Sequence, residues 1–115
     1  MPRRKNSRFV TFNDGVLDIC RANGRKIVET IESNIRFGFQ TVGYKRFYEA
    51  KVLSSQIDET VVIPYGRKVS TLDVCMILGE QYRIVQVQRK FDASPPYMLL
   101  SLEKIVPAYE DLRDG

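Results

Sequence analysis

Residues 25–39 read RKIVETIESNIRFGF, and the alternation inside this stretch decides the fold class. Ile27, Ile31, Ile35, Phe37 and Phe39 fall on one side of a two-residue period. Val28, Thr30, Glu32, Asn34 and Arg36 fall on the other. A helix would spread these apolar residues around its circumference, whereas a strand gathers them on one face, so the stretch reads as a long half-buried strand.

The same period extends outward in both directions. Upstream, 8–12 and 16–21 read as short strands separated by Asn13-Asp14-Gly15, and Asn23-Gly24 supplies the positive φ of a tight hairpin. Downstream, 57–64 alternates through Ile57, Val61 and Ile63, and Pro64 ends it by removing a ladder donor. Tyr65-Gly66 turns the chain. A second hairpin spans 73–78 and 81–89 about Gly79-Glu80. The last strand, 97–105, follows a stiff Asp92-Ala93-Ser94-Pro95-Pro96 loop and stops at Pro107. Between the long strand and 57–64, only 44–53 has helical spacing. There Tyr44, Phe47, Tyr48 and Val52 share one face, opposite Lys45, Arg46 and Glu49. So short a helix needs a sheet to dock on. The expectation is a mainly β chain: a small antiparallel β-barrel or sandwich of about 6–8 strands with one short α-helix over 44–53. In domain terms, a basic arm (1–7) precedes a single domain (8–107), and an acidic tail (108–115) follows it.

Composition narrows the classes. At 115 residues the chain is one domain, and 43% hydrophobic with 28% charged content is that of ordinary globular protein. No stretch approaches the roughly 18 apolar residues of a membrane span. The MPRRKNSR start has no apolar run behind it, so a cytoplasmic site of synthesis is expected. Cys20 and Cys75 each lie in an apolar run and read as buried thiols. With no histidine in the chain, neither a metal site nor a familiar nucleophile–base pair is expected, and no cofactor or small-molecule substrate is implied. Asp58-Glu59 and Asp73 read as turn carboxylates. The expected chain is not an enzyme.

The net charge of +4 resides in one place. Removing Arg3, Arg4, Lys5 and Arg8 from the 18 basic residues leaves 14, equal to the 14 acidic ones, so a basic arm precedes a neutral body. That arm is a candidate DNA contact, or a solvated terminus. The segment Arg36–Val42, with its Phe37-Gly38-Phe39 triplet, is similar to the aromatic signature of RNA-recognition motifs. It lacks the glycine between the basic residue and the first aromatic, and Phe37 and Phe39 also continue the apolar face. A small β-barrel binding nucleic acid through its basic arm is therefore the alternative reading.

Four stretches in order carry a family resemblance: GYKRFYEAKV (43–52), IDETVVIPYGRKV (57–69), LDVCMILGEQYRIVQVQ (72–88) and PPYMLLSLEKI (95–105). Together they resemble the head–tail adaptor (head–tail joining, or head-completion) proteins of tailed bacteriophages and prophages. Tyr48-Glu49-Ala50 matches the end of that family's short helix. Asp73, Gly79, Tyr82 and Ile84 match its "D-x-V…G-x-x-Y-x-I" hairpin, with Cys75 in place of valine. The resemblance implies a barrel subunit of a homo-oligomeric ring in the virion's head–tail connector. Portal or adaptor and tail proteins would be its partners, and double-stranded DNA would pass through its lumen. It makes Tyr44, Lys45, Arg46, Tyr48, Lys51, Tyr65, Arg67 and Lys68 candidates for protein contacts, and the two long loops, around Pro64–Lys68 and Phe91–Pro96, candidates for lumen or neighbour contacts. For Tyr44 and Tyr48, docking on the chain's own sheet stands as the other explanation.

Overall fold

The computed structural model describes residues 10–40 and 57–113. Among them are seven strands and no helix; the helix expected over 44–53 lies outside the described residues. The strands are β1 (Gly15–Ala22), β2 (Lys26–Phe39), β3 (Glu59–Pro64), β4 (Asp73–Ile77), β5 (Glu80–Lys90), β6 (Tyr97–Lys104) and β7 (Glu110–Asp111). All belong to one sheet in the order β1-β4-β5-β6-β3-β2-β7, and β1 also pairs with β2. Six strands therefore run in a closed antiparallel ring, with β7 added parallel to β2.

The hairpins follow from turn chemistry. Asn23 and Lys26 exchange backbone hydrogen bonds around Gly24 and Arg25, whose φ values of 60° and 68° match the right-handed twist of β1 and β2. The β4–β5 turn is Leu78-Gly79, one residue before the expected position, and it places Leu78 at φ 51°.

The main core gathers Leu17, Ile19, Ile35, Phe37, Val61, Ile63, Cys75, Ile77, Ile84, Met98, Leu100 and Leu102 on one face of the ring's strands. Each fully buried aliphatic or aromatic side chain contributes about 1.5–3 kcal/mol relative to exposure. A second cluster, Cys20, Ile27, Val74 and Ile105, is packed by Ala22, Met76 and Tyr109. Adjacent residues such as Ile19 and Cys20 serve different clusters, as strand alternation demands. Val62, Leu99 and Ser101 are buried as well, although they alternate with main-core residues.

Two expectations about the N-terminal half need correction. No strand covers the described part of 8–12; Val10 to Phe12 lack regular structure. The Thr11 carbonyl instead crosses Gly38 so closely that a Cβ there would collide with it. In β2, Ile31, Ile35 and Phe37 stay with the main core, but Ile27 joins the second cluster. The cause is a set of register shifts against β1, each adding a residue to β2 and resetting the alternation. One shift includes Asn34 at φ 53°, whose N–H donates to the Asp18 carboxylate at 3.0 Å. Phe39 is 47% exposed: it lies at the end of β2, edge-on to Phe37 with centroids 5.1 Å apart.

Candidate interaction surfaces

Strand direction sorts the loops onto two ends. β3 and β5 both run antiparallel to β6, so Glu59 and Glu80 start at one end, and Pro64 and Lys90 finish at the other. At about 3.3 Å per residue, the two ends of β5 are roughly 30 Å apart.

At the finishing end, the loop after β3 meets the loop between β5 and β6. Tyr65 and Phe91 pack edge to face, with centroids 4.9 Å apart. The Tyr65 N–H donates to the Pro96 carbonyl at 3.3 Å, which fixes one loop to the other. Both rings nevertheless face solvent, 44% exposed for Tyr65 and 64% for Phe91. Exposed aromatics are frequent anchors of protein interfaces. Cationic side chains flank them: Arg67 and Lys68 follow Tyr65, and Arg89 and Lys90 precede Phe91. Arg67 reaches back to Glu32 at 3.4 Å, and the Lys68 N–H approaches the other Glu32 oxygen at 3.5 Å. Of the three described interface candidates, Tyr65 and Lys68 are thus presented outward, while Arg67 also ties its loop to β2.

The starting end is acidic. Burial, then the neighbouring Glu59 and Glu80 carboxylates, push the Tyr82 hydroxyl above its ordinary range. Glu80 pairs with Lys104 at 3.0 Å, and this contact raises the Lys104 ammonium. Asp58 accepts the Lys104 N–H at 2.8 Å, which gives it a structural use at the strand start. Arg83 pairs with Glu103 nearby. Among these charges stand two exposed aliphatics, Leu78 at 81% and Val106 at 78%.

The remaining carboxylate and thiol candidates are structural. Asp73 accepts the Ser70 N–H at 2.9 Å and its hydroxyl at 3.2 Å, closing the turn into β4. Cys20 and Cys75 are free and buried. Cys75 lies in the main core, where burial pushes its thiol far up. Cys20 is covered by the C-terminal segment and accepts from Arg113 Nη1 at 3.2 Å, yet burial still raises its thiol. No group of three or more His, Cys, Asp or Glu side chains that could hold a metal ion occurs among the described residues.

Phe37 is fully buried and cannot stack a base, and Gly38 is accounted for by the crossing of Thr11. The arm residues Arg3, Arg4, Lys5 and Arg8 and the contact candidates Tyr44, Lys45, Arg46, Tyr48 and Lys51 lie outside the described residues. The loops around Pro64–Lys68 and Phe91–Pro96 were readable from sequence as contact candidates, and Tyr65 and Phe91 bring them together; Leu78 and Val106 were not singled out. The available signal was a large apolar residue beside a turn: Leu78 before Gly79, and Val106 before Pro107. The chain matches no family model, no curated protein and no solved structure.

Proposed function

We propose that this chain is a structural component of the head–tail connector of a tailed phage or prophage. In this reading the closed six-strand ring is a small barrel. Copies form a larger ring between portal and tail that completes the head, seats the tail and lets double-stranded DNA through. The virion would be its site of action.

The observation that carries the reading is the placement of the adaptor-like hairpin motif. Asp73 opens β4, Gly79 lies in the turn, and Tyr82 and Ile84 follow on β5, so all four residues share one hairpin. Asp73 closes the incoming turn and Ile84 is in the main core, which gives two of the matched residues a structural reason. The Tyr65–Phe91 pair supplies an exposed anchor of the kind an assembly subunit uses.

Purified chain is to be mixed with portal rings and with tail-side rings and imaged by electron microscopy. The reading expects an added layer on at least one ring. Absence of that layer under assembly conditions, with folded chain in excess, overturns it.

A further inference from the structure

We infer that the Tyr65–Phe91 end of one copy docks against the Leu78–Val106 end of a second copy, forming a head-to-tail interface. Each end carries an exposed apolar anchor inside a charged rim, and the rims have opposite sign. Around the aromatic pair, Arg67, Lys68, Arg89 and Lys90 outnumber Glu32 and Asp92; around the aliphatic pair, Asp58, Glu59, Glu80 and Glu103 outnumber Lys104 and Arg83, which pair with Glu80 and Glu103. Opposed rims of this kind fix register and discourage the two like ends from meeting.

The anchors are not loosely held. Tyr65 is tied to Pro96 by its backbone, and Leu78 is fixed in a two-residue turn between paired strands. Little ordering remains to be done on contact, which favours association. Because the ends lie at opposite termini of β5, no copy can satisfy both within itself. The contact is therefore heterologous: every added copy leaves one end free, and assembly ends in a ring where the rotation between copies closes and in an open filament where it does not. The inference supplies the self-contact a connector subunit needs. It rests on the connector reading only for where such an assembly would act.

The test uses the full chain with two substitutions, Phe91→Asp at one end and Leu78→Asp at the other, with folding checked by circular dichroism. Analytical ultracentrifugation at low salt follows each protein up to millimolar concentration. The expected wild-type result is concentration-dependent association that salt weakens. Either variant alone should associate at least about tenfold more weakly. Mixed together, the two variants should form a one-to-one complex and no larger species, since each retains the end the other lacks. A wild type that stays monomeric throughout overturns the inference. So do variants that associate as well alone as the wild type, or a mixture that forms no complex. A chain that self-associates as described but ignores portal rings overturns the connector reading alone, and the reverse pair of results overturns only this interface.

Discussion

The Thr11 carbonyl oxygen lies inside 3.0 Å of where a Cβ on Gly38 would stand. Real Cβ atoms do not tolerate that approach, and the obstacle is backbone, not a side chain that can swing aside. The triplet Phe37-Gly38-Phe39 thus has its glycine for passage of another segment. Around this crossing, the Asp14 carboxylate accepts the Phe39 N–H at 2.8 Å. Arg36 donates to the Phe12 carbonyl and to the Asn13 side chain, at 3.3 and 3.2 Å.

Gly38→Ala is expected to destabilise the chain by about 2 kcal/mol or more, the range of an overpacked site with a blocked backbone. Urea titration followed by far-ultraviolet circular dichroism measures it. A loss smaller than about 0.5 kcal/mol, the scale of an ordinary surface substitution, would show that the crossing is not a packing constraint.

A second prediction concerns Gln81, with Ser101 one of two buried polar side chains among the described residues. Its amide donates to the Tyr109 carbonyl at 2.9 Å and its oxygen accepts the Tyr109 N–H at 2.7 Å. Gln81→Leu keeps approximate volume but strands both backbone groups of Tyr109. The expected cost is about 2 kcal/mol, from unsatisfied polar groups. Thermal melting checks it, and labelling of Cys20 by a thiol reagent should quicken as the covering segment loosens, with Cys75 unaffected. Unchanged melting and labelling would refute the role given to Gln81.

The C-terminal segment should also respond to acid. The Arg113 guanidinium, bonded to both Asp111 oxygens, holds that carboxyl below its ordinary value of 3.8. A folded-state value below the unfolded one means this contact stabilises docking above about the ordinary value. That stabilisation is lost as pH falls through the depressed one. Hydrogen exchange at Leu112, whose N–H donates to the Ile27 carbonyl at 2.8 Å, reports it. After correction for intrinsic rates, Leu112 protection should decline on acidification through that window. In Asp111→Asn, this decline should be absent.

Leu78 offers an opposite effect. It occupies φ 51°, a conformation that costs a branched apolar side chain about 1–2 kcal/mol, and its side chain is largely exposed. Leu78→Asn should raise stability by about 1 kcal/mol, because asparagine tolerates this region. If the end-to-end interface holds, the same substitution weakens self-association. A variant that melts higher yet associates less would separate the two effects in one protein; lower stability contradicts the turn argument.

Most strands were legible because apolar alternation and turn residues agreed. Pro64 ends β3 and Asn23-Gly24 opens the β1–β2 hairpin where expected, and Ile35 and Phe37 are core. What escaped was set by distant partners. Glu110 and Asp111 have no strand propensity to speak of, and pair with Lys26 and Ile27 only because Tyr109 packs on the second cluster and Arg113 anchors beyond. The positive φ of Asn34 resets one face of β2, and asparagine alone does not announce it. At the interaction surfaces, Tyr65 and Lys68 were readable as loop residues beside a glycine. Their meeting with Phe91 depends on two loops 26 positions apart in sequence being brought together by β6.

One ladder in the ring is far shorter than the rest. β3 pairs with β6 from Glu59↔Leu102 to Pro64↔Tyr97, but with β2 only at Gly38↔Val62 and Phe39↔Val61. Like a hoop fastened at one narrow overlap, the ring has its buckle there, and residues 11–14 grip β2 beside it through Gly38, Phe39 and Arg36. Breathing of the hoop should therefore begin at Val61 and Val62 and spread last to the β5–β6 ladder. A mutation that releases the grip on Gly38 would act as a latch failure, loosening the circle while leaving its individual hairpins intact.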